Sequence, residues 1–375
     1  MINCEKFYQY LLEKNINFFT GVPDSLLKDF CSYIMDNAGQ NHVISANEGN
    51  AVALAAGHYL ASGNIGLVYM QNSGIGNAIN PLASLVDPEV YSIPVLMIVG
   101  WRGEPNVKDE PQHIKQGKVT TGLFDALSIP YDILPASLDE AKVCLDKACN
   151  YMRENSSPYV IIIKKDTFEK YSLQNKIKNN YPVSREEAIK RIVDTLSPED
   201  IIVSTTGKAS RELFEYRDYL HQGHDKDFLT VGSMGHSSQV ALGIALEKKN
   251  RKVYCLDGDG AAIMHMGAWA IIGSKAPENF RHIILNNGCH ESVGGQPTAG
   301  FSINMQMLAQ ACGYKNIYLA ETLEEIESKI NLLKNSVGPS LLEIRINSSS
   351  RENLGRPNIS PVDNKKDFIK FIRNS

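Results

Sequence analysis

Two short polar clusters could do chemistry together: Gly258-Asp259-Gly260 and Asn286-Asn287-Gly288, with 25 residues between Gly260 and Asn286. Residues 251–256 alternate and are rich in strand formers, and residues 261–272 have the alanine-rich pattern of a buried helix. A polar stretch with Pro277 follows, then residues 282–285 read as a second strand that stops at Asn286. A strand–helix–strand unit of about 30 residues predicts a right-handed parallel crossover. Neighbouring parallel strands lie roughly 4.8 Å apart, so their carboxyl ends bring Asp259 and Asn287 to one rim of the sheet. That rim is where open parallel sheets bind ligands. A carboxylate and an amide oxygen are hard donors suited to Mg2+, which takes about six oxygens and borrows some from phosphate. The helix start around Gly260 and Ala261 offers free N–H groups to the same anion. Either cluster alone reads more readily as a turn, because Asp, Asn and Gly favour turns for backbone reasons. The pair, with this unit between its members, reads as a holder for a metal–diphosphate.

The elements that must position these residues recur along the chain. Helix is expected at 7–12, 25–35, 51–60 and up to residue 85; strands at 17–20, 42–45, 65–70, 93–99 and 159–163. A long polar loop is expected over 101–117. In the second half, strands are expected at 201–204, 228–231, 253–256, 283–285, 317–319 and 341–344, with helices between. The fold class is therefore α/β: two tandem doubly wound, mostly parallel sheet domains without a central third domain. The expected boundaries are 1–168 for the first domain, 169–184 for a polar Lys- and Asn-rich linker, and 185–375 for the second.

Bulk properties exclude several functions. At 375 residues there is room for two cores, and 38 basic against 42 acidic residues leave a net charge of −4 without a like-charge block. This argues against nucleic-acid and membrane-surface binding. The apolar run at 93–99 is far too short to span a bilayer. The start Met1-Ile-Asn-Cys-Glu-Lys lacks the order of a signal peptide, so a cytoplasmic protein is expected. Seven cysteines, an odd count with no Cys-x-x-Cys pair, fit reduced buried thiols and no zinc site. No Gly-x-Gly-x-x-Gly opens a helix after a strand, which disfavours a nicotinamide enzyme.

The Gly-Asp-Gly and Asn-Asn pair resembles the metal motif of thiamine-diphosphate enzymes. The resemblance implies that Asp259, Asn287 and the main-chain carbonyl of Cys289 bind Mg2+. It also implies a first domain that binds the cofactor's pyrimidine and a second that binds its diphosphate. The family's activating glutamate sits where a strand becomes a buried helix, which here is Glu48, in Ser45-Ala46-Asn47-Glu48-Gly49 before an apolar helix. Burial would raise its pKa and suit it to sharing a proton. Read without the resemblance, Glu48 is equally a first-turn acid complementing a helix dipole. By the same resemblance Met234, in Gly232-Ser233-Met234-Gly235, is the bulky side chain beneath the bent cofactor, with Gly232 and the Met234 N–H on the pyrimidine. Thr206 and Gly207, at another strand end, match a diphosphate contact.

Further stretches resemble the phosphonopyruvate decarboxylase branch of the family, with sulfopyruvate decarboxylases as near cousins. They are Gly-Val-Pro-Asp-Ser at 21–25, Gln-Asn-Ser-Gly-Ile-Gly-Asn at 71–77, Asp-Glu-Pro-Gln-His at 109–113, His-Glu-Ser-Val-Gly-Gly-Gln-Pro-Thr at 290–298 and Arg-Glu-Asn-Leu-Gly-Arg-Pro at 351–357. The reaction implied is decarboxylation of 3-phosphonopyruvate to phosphonoacetaldehyde and CO2, a step of 2-aminoethylphosphonate-type biosynthesis. The alternatives are sulfopyruvate or another 2-keto acid as substrate, and, more remotely, a silent diphosphate-binding protein. His113 matches a histidine near the reacting carbons, and the length of its loop suggests a lid. Asp24, Ser25, Asn72, Ser73, Arg102, Lys108, His290 and Gln296 are the candidate substrate contacts. Arg102 and Lys108 read equally as solvated surface charges, and Arg351 and Arg356 call for the same caution. In the family the residues equivalent to Glu48 and Asp259 come from different subunits, which implies a homo-oligomer of at least two chains.

Overall fold

The computed structural model describes residues 1–176 and 179–373. The chain divides into two compact units, Met1–Lys176 with His290–Pro297, and Ile177–Cys289 with Thr298–Ser375. Residues 177 and 178 of the expected linker, and 374 and 375 of the expected second domain, lie outside the described residues.

The first unit carries helices α1 (Cys4–Glu13), α2 (Lys28–Asn37), α3 (Glu48–Ser62), α4 (Ile75–Ser84), α5 (Pro111–Ala126) and α6 (Leu138–Asn155). Its strands are β1 (Phe19–Gly21), β2 (His42–Ile44), β3 (Gly66–Gln71), β4 (Val95–Gly100), β5 (Tyr131–Ile133) and β6 (Tyr159–Ile163). They form one sheet of order β2-β1-β3-β4-β6-β5, with every pair parallel. The run Tyr159–Ile163 shows why the central strands are largely apolar: Tyr159, Ile161 and Ile163 enter one core, Val160 and Ile162 the other. A strand covered by helices on both faces has no polar side to show.

The second unit repeats the plan. Helices α7 (Arg185–Thr195), α8 (Lys208–Tyr219), α9 (Ser237–Glu247), α10 (Asp259–Met264), α11 (Gly267–Lys275), α12 (Met305–Ala311), α13 (Leu323–Asn335) and α14 (Pro361–Arg373) surround its sheet. Its strands are β7 (Ile201–Ser204), β8 (Asp227–Leu229), β9 (Val253–Gly258), β10 (Phe280–Asn286), β13 (Asn316–Ala320) and β14 (Ser340–Arg345); the short β11 (Cys289–His290) runs into, and β12 (Gln296–Pro297) lies within, the segment His290–Pro297 that belongs to the first unit. The main sheet has the order β13-β14-β10-β9-β7-β8 and is again wholly parallel. Alternate residues of β9 feed two cores, Tyr254 and Leu256 on one side, Val253 and Cys255 on the other. Each sheet thus has a switch point, between β1 and β3 in the first unit and between β7 and β9 in the second. At such points consecutive connections leave toward opposite faces and open a crevice at the carboxyl rim.

Three expectations are corrected locally. The polar loop after β4 ends at Glu110, because Pro111 starts α5 with a φ already suited to a first helical turn. His113 therefore sits on a helix, and the expected long lid is shortened to the residues before Pro111. The single helix expected over 261–272 is two, α10 and α11, interrupted at His265, whose φ of −130° is not helical. Gly258 does not break the strand; β9 runs through it and α10 begins at Asp259.

The segment 168–175 is tied to the first unit. Ile2 pairs with Phe168, Leu173 is buried, and Asp36 of α2 accepts the Tyr171 hydroxyl and the Gln174 and Asn175 N–H groups. None of the seven cysteines forms a disulfide. Among the described residues no helix is long and apolar enough to cross a membrane.

Candidate active site

In the second unit, β9 and β10 are adjacent and parallel, with Leu285 opposite Gly258. This register sets Asp259 and Asn287 at one carboxyl rim, and the Asn287 N–H donates to the Asp259 carboxylate. Asp259 is 3% exposed, and burial pushes its carboxyl up to about 6 even though the Thr298 hydroxyl and backbone N–H groups donate to it. A buried carboxylate left short of positive charge is what a cation site requires. Gly300 packs against it: a methyl there would stand 2.6 Å from Asp259 Oδ2 and from Asn286 Oδ1. Asn287 is buried, and its Oδ1 accepts the Cys289 N–H at 3.1 Å, which folds the chain back at Gly288. Gly288 has a φ of +71°, a conformation glycine adopts without strain.

Asn286 plays a different part from its neighbour. Its amide donates to the Gly300 carbonyl at 2.9 Å and to Glu343 Oε1 at 2.7 Å, and its Oδ1 accepts the Gly288 N–H at 3.1 Å. It shapes the turn that presents Asn287. Glu343 on β14 is itself buried and receives Gln306 and Arg345. Nothing in the local sequence marks Glu343, which reaches the motif only through strand pairing.

At the β7 rim, Gly207 caps α8 with a φ of +107°. Open space lies where its side chain would be, and Thr206 Oγ1 accepts the Gly232 N–H at 3.1 Å. The two segments matched to cofactor contacts are therefore joined. Met234 is half-buried on a turn in which Gly232, Ser233 and Gly235 all have positive φ. Lys208 opens α8 and reaches Ser350 Oγ at 2.6 Å. Gly260 and Ala261 lie in the first turn of α10. Arg351 bonds Glu186 and Glu215, which holds the C-terminal strap onto this unit.

Strand geometry assembles another cluster that spacing along the chain does not reveal. Cys255 and His282 face each other across β9 and β10, and Asp257 lies two residues on, all three buried. His282 Nδ1 meets the Tyr314 hydroxyl at 3.1 Å, and its Nε2 stands 3.6 Å from Asp257 Oδ2. This is a polar plug in the core behind the Asp259 turn.

In the first unit the candidate residues follow the ends of β1 to β4. Glu48 is the first residue of α3, behind the N-cap Asn47, and is 5% exposed. It is thus a first-turn acid of the helix and is also buried. Burial dominates and raises its pKa, with a hydrogen bond from Asn77 Nδ2 at 2.7 Å pulling the other way. Gly74 stands against its carboxyl, and a side chain there would overlap Glu48.

Asp24 follows β1 and is 1% exposed. Its Oδ2 accepts the Leu26 N–H at 2.9 Å and its Oδ1 has no partner among the described residues. Burial pushes this carboxyl up to about 6. Asp109 is a hub that spacing alone did not single out. It receives Arg102 Nε at 2.8 Å and Nη2 at 2.5 Å, the Gly103 and Glu110 N–H groups, and His113 Nδ1 at 2.9 Å. Burial alone would raise the Asp109 carboxyl, but Arg102 and His113 outweigh it and hold it well below the usual range. Burial lowers the His113 imidazole, against the pull of Asp109. Arg102 also donates to Ser25 Oγ at 2.6 Å, so three of its N–H directions are committed inside the protein. Asn72 grips the Arg102 backbone in both directions and bonds Thr120 Oγ1 at 2.9 Å. Ser73 is exposed and accepts from Gln71, and Lys108 is exposed. Gln296 is fully buried with neither amide atom partnered among the described residues, and His290 is half-buried.

Comparison with known proteins adds identity to this geometry. The N-terminal TPP binding domain of thiamine pyrophosphate enzymes matches residues 4–126, and the C-terminal TPP binding domain matches residues 205–344. A phosphonopyruvate decarboxylase of Streptomyces viridochromogenes is 32% identical over 367 residues, covering 94% of this chain and 90% of that protein. One from Streptomyces hygroscopicus is 32% identical over 386 residues, covering 99% and 94%. A sulfopyruvate decarboxylase of Methanosarcina acetivorans is 26% identical over 394 residues, covering 98% and 97%. End-to-end similarity, the paired domain matches and two wholly parallel sheets agree: the chain belongs to the phosphonopyruvate decarboxylase family of thiamine-diphosphate-dependent enzymes.

Proposed function

We propose that this protein decarboxylates 3-phosphonopyruvate to phosphonoacetaldehyde and CO2, with thiamine diphosphate and Mg2+, as a step of phosphonate biosynthesis. The observation that carries the reading is its near-full-length similarity to two phosphonopyruvate decarboxylases, with Glu48, Asp259 and Asn287 intact. Asp259, Asn287 and the Cys289 carbonyl would hold Mg2+, a role supported by the buried, charge-short carboxylate of Asp259. Thr206 and Gly207 would receive the diphosphate, Gly232 and Met234 the pyrimidine. When bound, thiamine diphosphate supplies an electron sink for the pair released as CO2 departs.

The chain's own residues do the positioning. Glu48 holds a proton for the aminopyrimidine from a buried site where exchange with water is suppressed. Asp24, whose carboxyl burial pushes up to about 6, can present a proton from its unpartnered Oδ1 in the fraction of molecules that keep it protonated. His113, oriented by Asp109, has Nε2 left to face substrate. Asp109 occupies the Nε–Nη2 edge of Arg102, so phosphonate recognition would use other donors, with Lys108, His290 and Gln296 the candidates.

In the family the two half-sites come from different subunits, so we take the working enzyme to be at least a homodimer, and we place it in the cytoplasm. The domains are read as 1–168 and 185–375 with 169–184 between them. The deciding experiment compares initial rates with phosphonopyruvate, sulfopyruvate and pyruvate and detects the aldehyde product. Phosphonopyruvate is expected to be preferred. Preference for sulfopyruvate or pyruvate overturns the substrate, and no turnover despite tight cofactor binding overturns the activity.

A further inference from the structure

We infer that Asn77 is a positioning residue that decides which oxygen of Glu48 carries the shared proton and stabilises the carboxylate once that proton has left. The inference rests on the thiamine-diphosphate reading of Glu48 and deepens it. Asn77 lies in the first turn of α4, and its Nδ2 donates to Glu48 Oε2 at 2.7 Å. An amide nitrogen donates and does not accept, so Oε2 serves as acceptor and the proton belongs on Oε1. Oε1 is the oxygen beside Gly74, whose missing side chain gives the carboxyl its room.

The contact is built into helix packing. A methyl on Gly49, in the first turn of α3, would stand 2.6 Å from the Asn77 carbonyl oxygen. Glycines at 49 and 74 therefore let the starts of α3 and α4 interlock around Glu48, and the amide is held by two helices. When the proton passes from Oε1 to the ring nitrogen, the O–H bond breaks and an N–H bond forms. The pair left on the carboxylate then meets an N–H bond already in place. A hydrogen bond to a charged oxygen is stronger than to a neutral one, so Asn77 favours the transfer. The same contact opposes the rise that burial imposes on Glu48.

The test uses the full-length protein with Mg2+ and thiamine diphosphate, and compares Asn77→Ala and the nearly isosteric Asn77→Asp with wild type. Three quantities are read: cofactor affinity by calorimetry, exchange of the cofactor's C2 hydrogen for deuterium without substrate, and the pH midpoint of that exchange. Both variants are expected to bind the cofactor within about threefold of wild type, and to exchange about 10- to 100-fold more slowly, as loss of one charge-assisted hydrogen bond implies. The midpoint is expected to move up in both, further in Asn77→Asp, where two carboxyls compete for one proton. Exchange at the wild-type rate with an unmoved midpoint overturns the role of Asn77. A Glu48→Gln control separates the two claims: if it too exchanges at the wild-type rate, the reading of Glu48 itself fails.

Discussion

Asp24→Asn offers a sharp test of the electrostatics at the first unit's rim. The Asp24 carboxyl is buried, one oxygen lacks a partner, and burial raises its pKa from 3.8 to about 6. A shift of about two units corresponds to about 3 kcal/mol. The folded protein therefore binds the proton more tightly than the unfolded chain, and stability falls as pH rises through the interval between the two values. Below about pH 4 both states are protonated and Asp24 costs nothing; above about pH 6 the full penalty applies. An asparagine keeps an oxygen for the Leu26 N–H, which Asp24 accepts at 2.9 Å, and removes the buried charge. The cofactor-free variant is thus expected to match wild type near pH 4 and to gain about 3 kcal/mol by about pH 7.5. Urea unfolding of both proteins across this range reads the difference directly. A difference that does not vary with pH, or an asparagine variant that is weaker at neutral pH, refutes the reasoning. On the role proposed for Asp24, the same variant is expected to lose turnover while it gains stability.

Other substitutions probe separate parts of the structure. Gly74→Ala meets no backbone penalty at φ −74°, but its methyl overlaps the Glu48 carboxyl. Turnover should fall about 100-fold with little change in melting temperature, since a misplacement of about 1 Å is enough; near-normal rates would show that Glu48 tolerates displacement. Asp109→Asn removes the negative charge and one of the two oxygens that accept from Arg102 and His113, and sets an NH2 donor against those donors. The pH profile of kcat should change shape, and a profile identical to wild type would exclude His113 orientation by Asp109. In the second unit, Arg217 and Asp227 form a bidentate pair, both at most 1% exposed. Asp227→Ala should cost about 3–5 kcal/mol of unfolding free energy, because it strands a buried cation, whereas replacing both partners by apolar residues should cost much less.

Much of this protein is legible without its coordinates, for a physical reason. Strands buried on both faces are largely apolar, so 159–163 and 201–204 stand out at the boundaries the structure has. Parallel connectivity then obliges Asp259 and Asn287 to share a rim, and the turn residues around them are marked by glycine and asparagine. Helix starts were harder to read. Pro111 turns half of an expected loop into α5, and His265 divides an expected helix, because capping and local backbone angles outweigh composition at element ends.

What only the tertiary structure decided is which polar side chains support the chemistry. Asn77 reaches Glu48 across 29 positions, Asn286 reaches Glu343 across 57, and Ser25 meets Arg102 across 77. No periodicity records such pairings, since each depends on which strand ends lie side by side. Burial was legible only in part: the apolar helix after Glu48 points to a buried acid, whereas nothing in the chain marks the burial of Asp24 or Asp259. Their raised pKa values arise only when the surrounding helices exclude water from the rims of the two sheets.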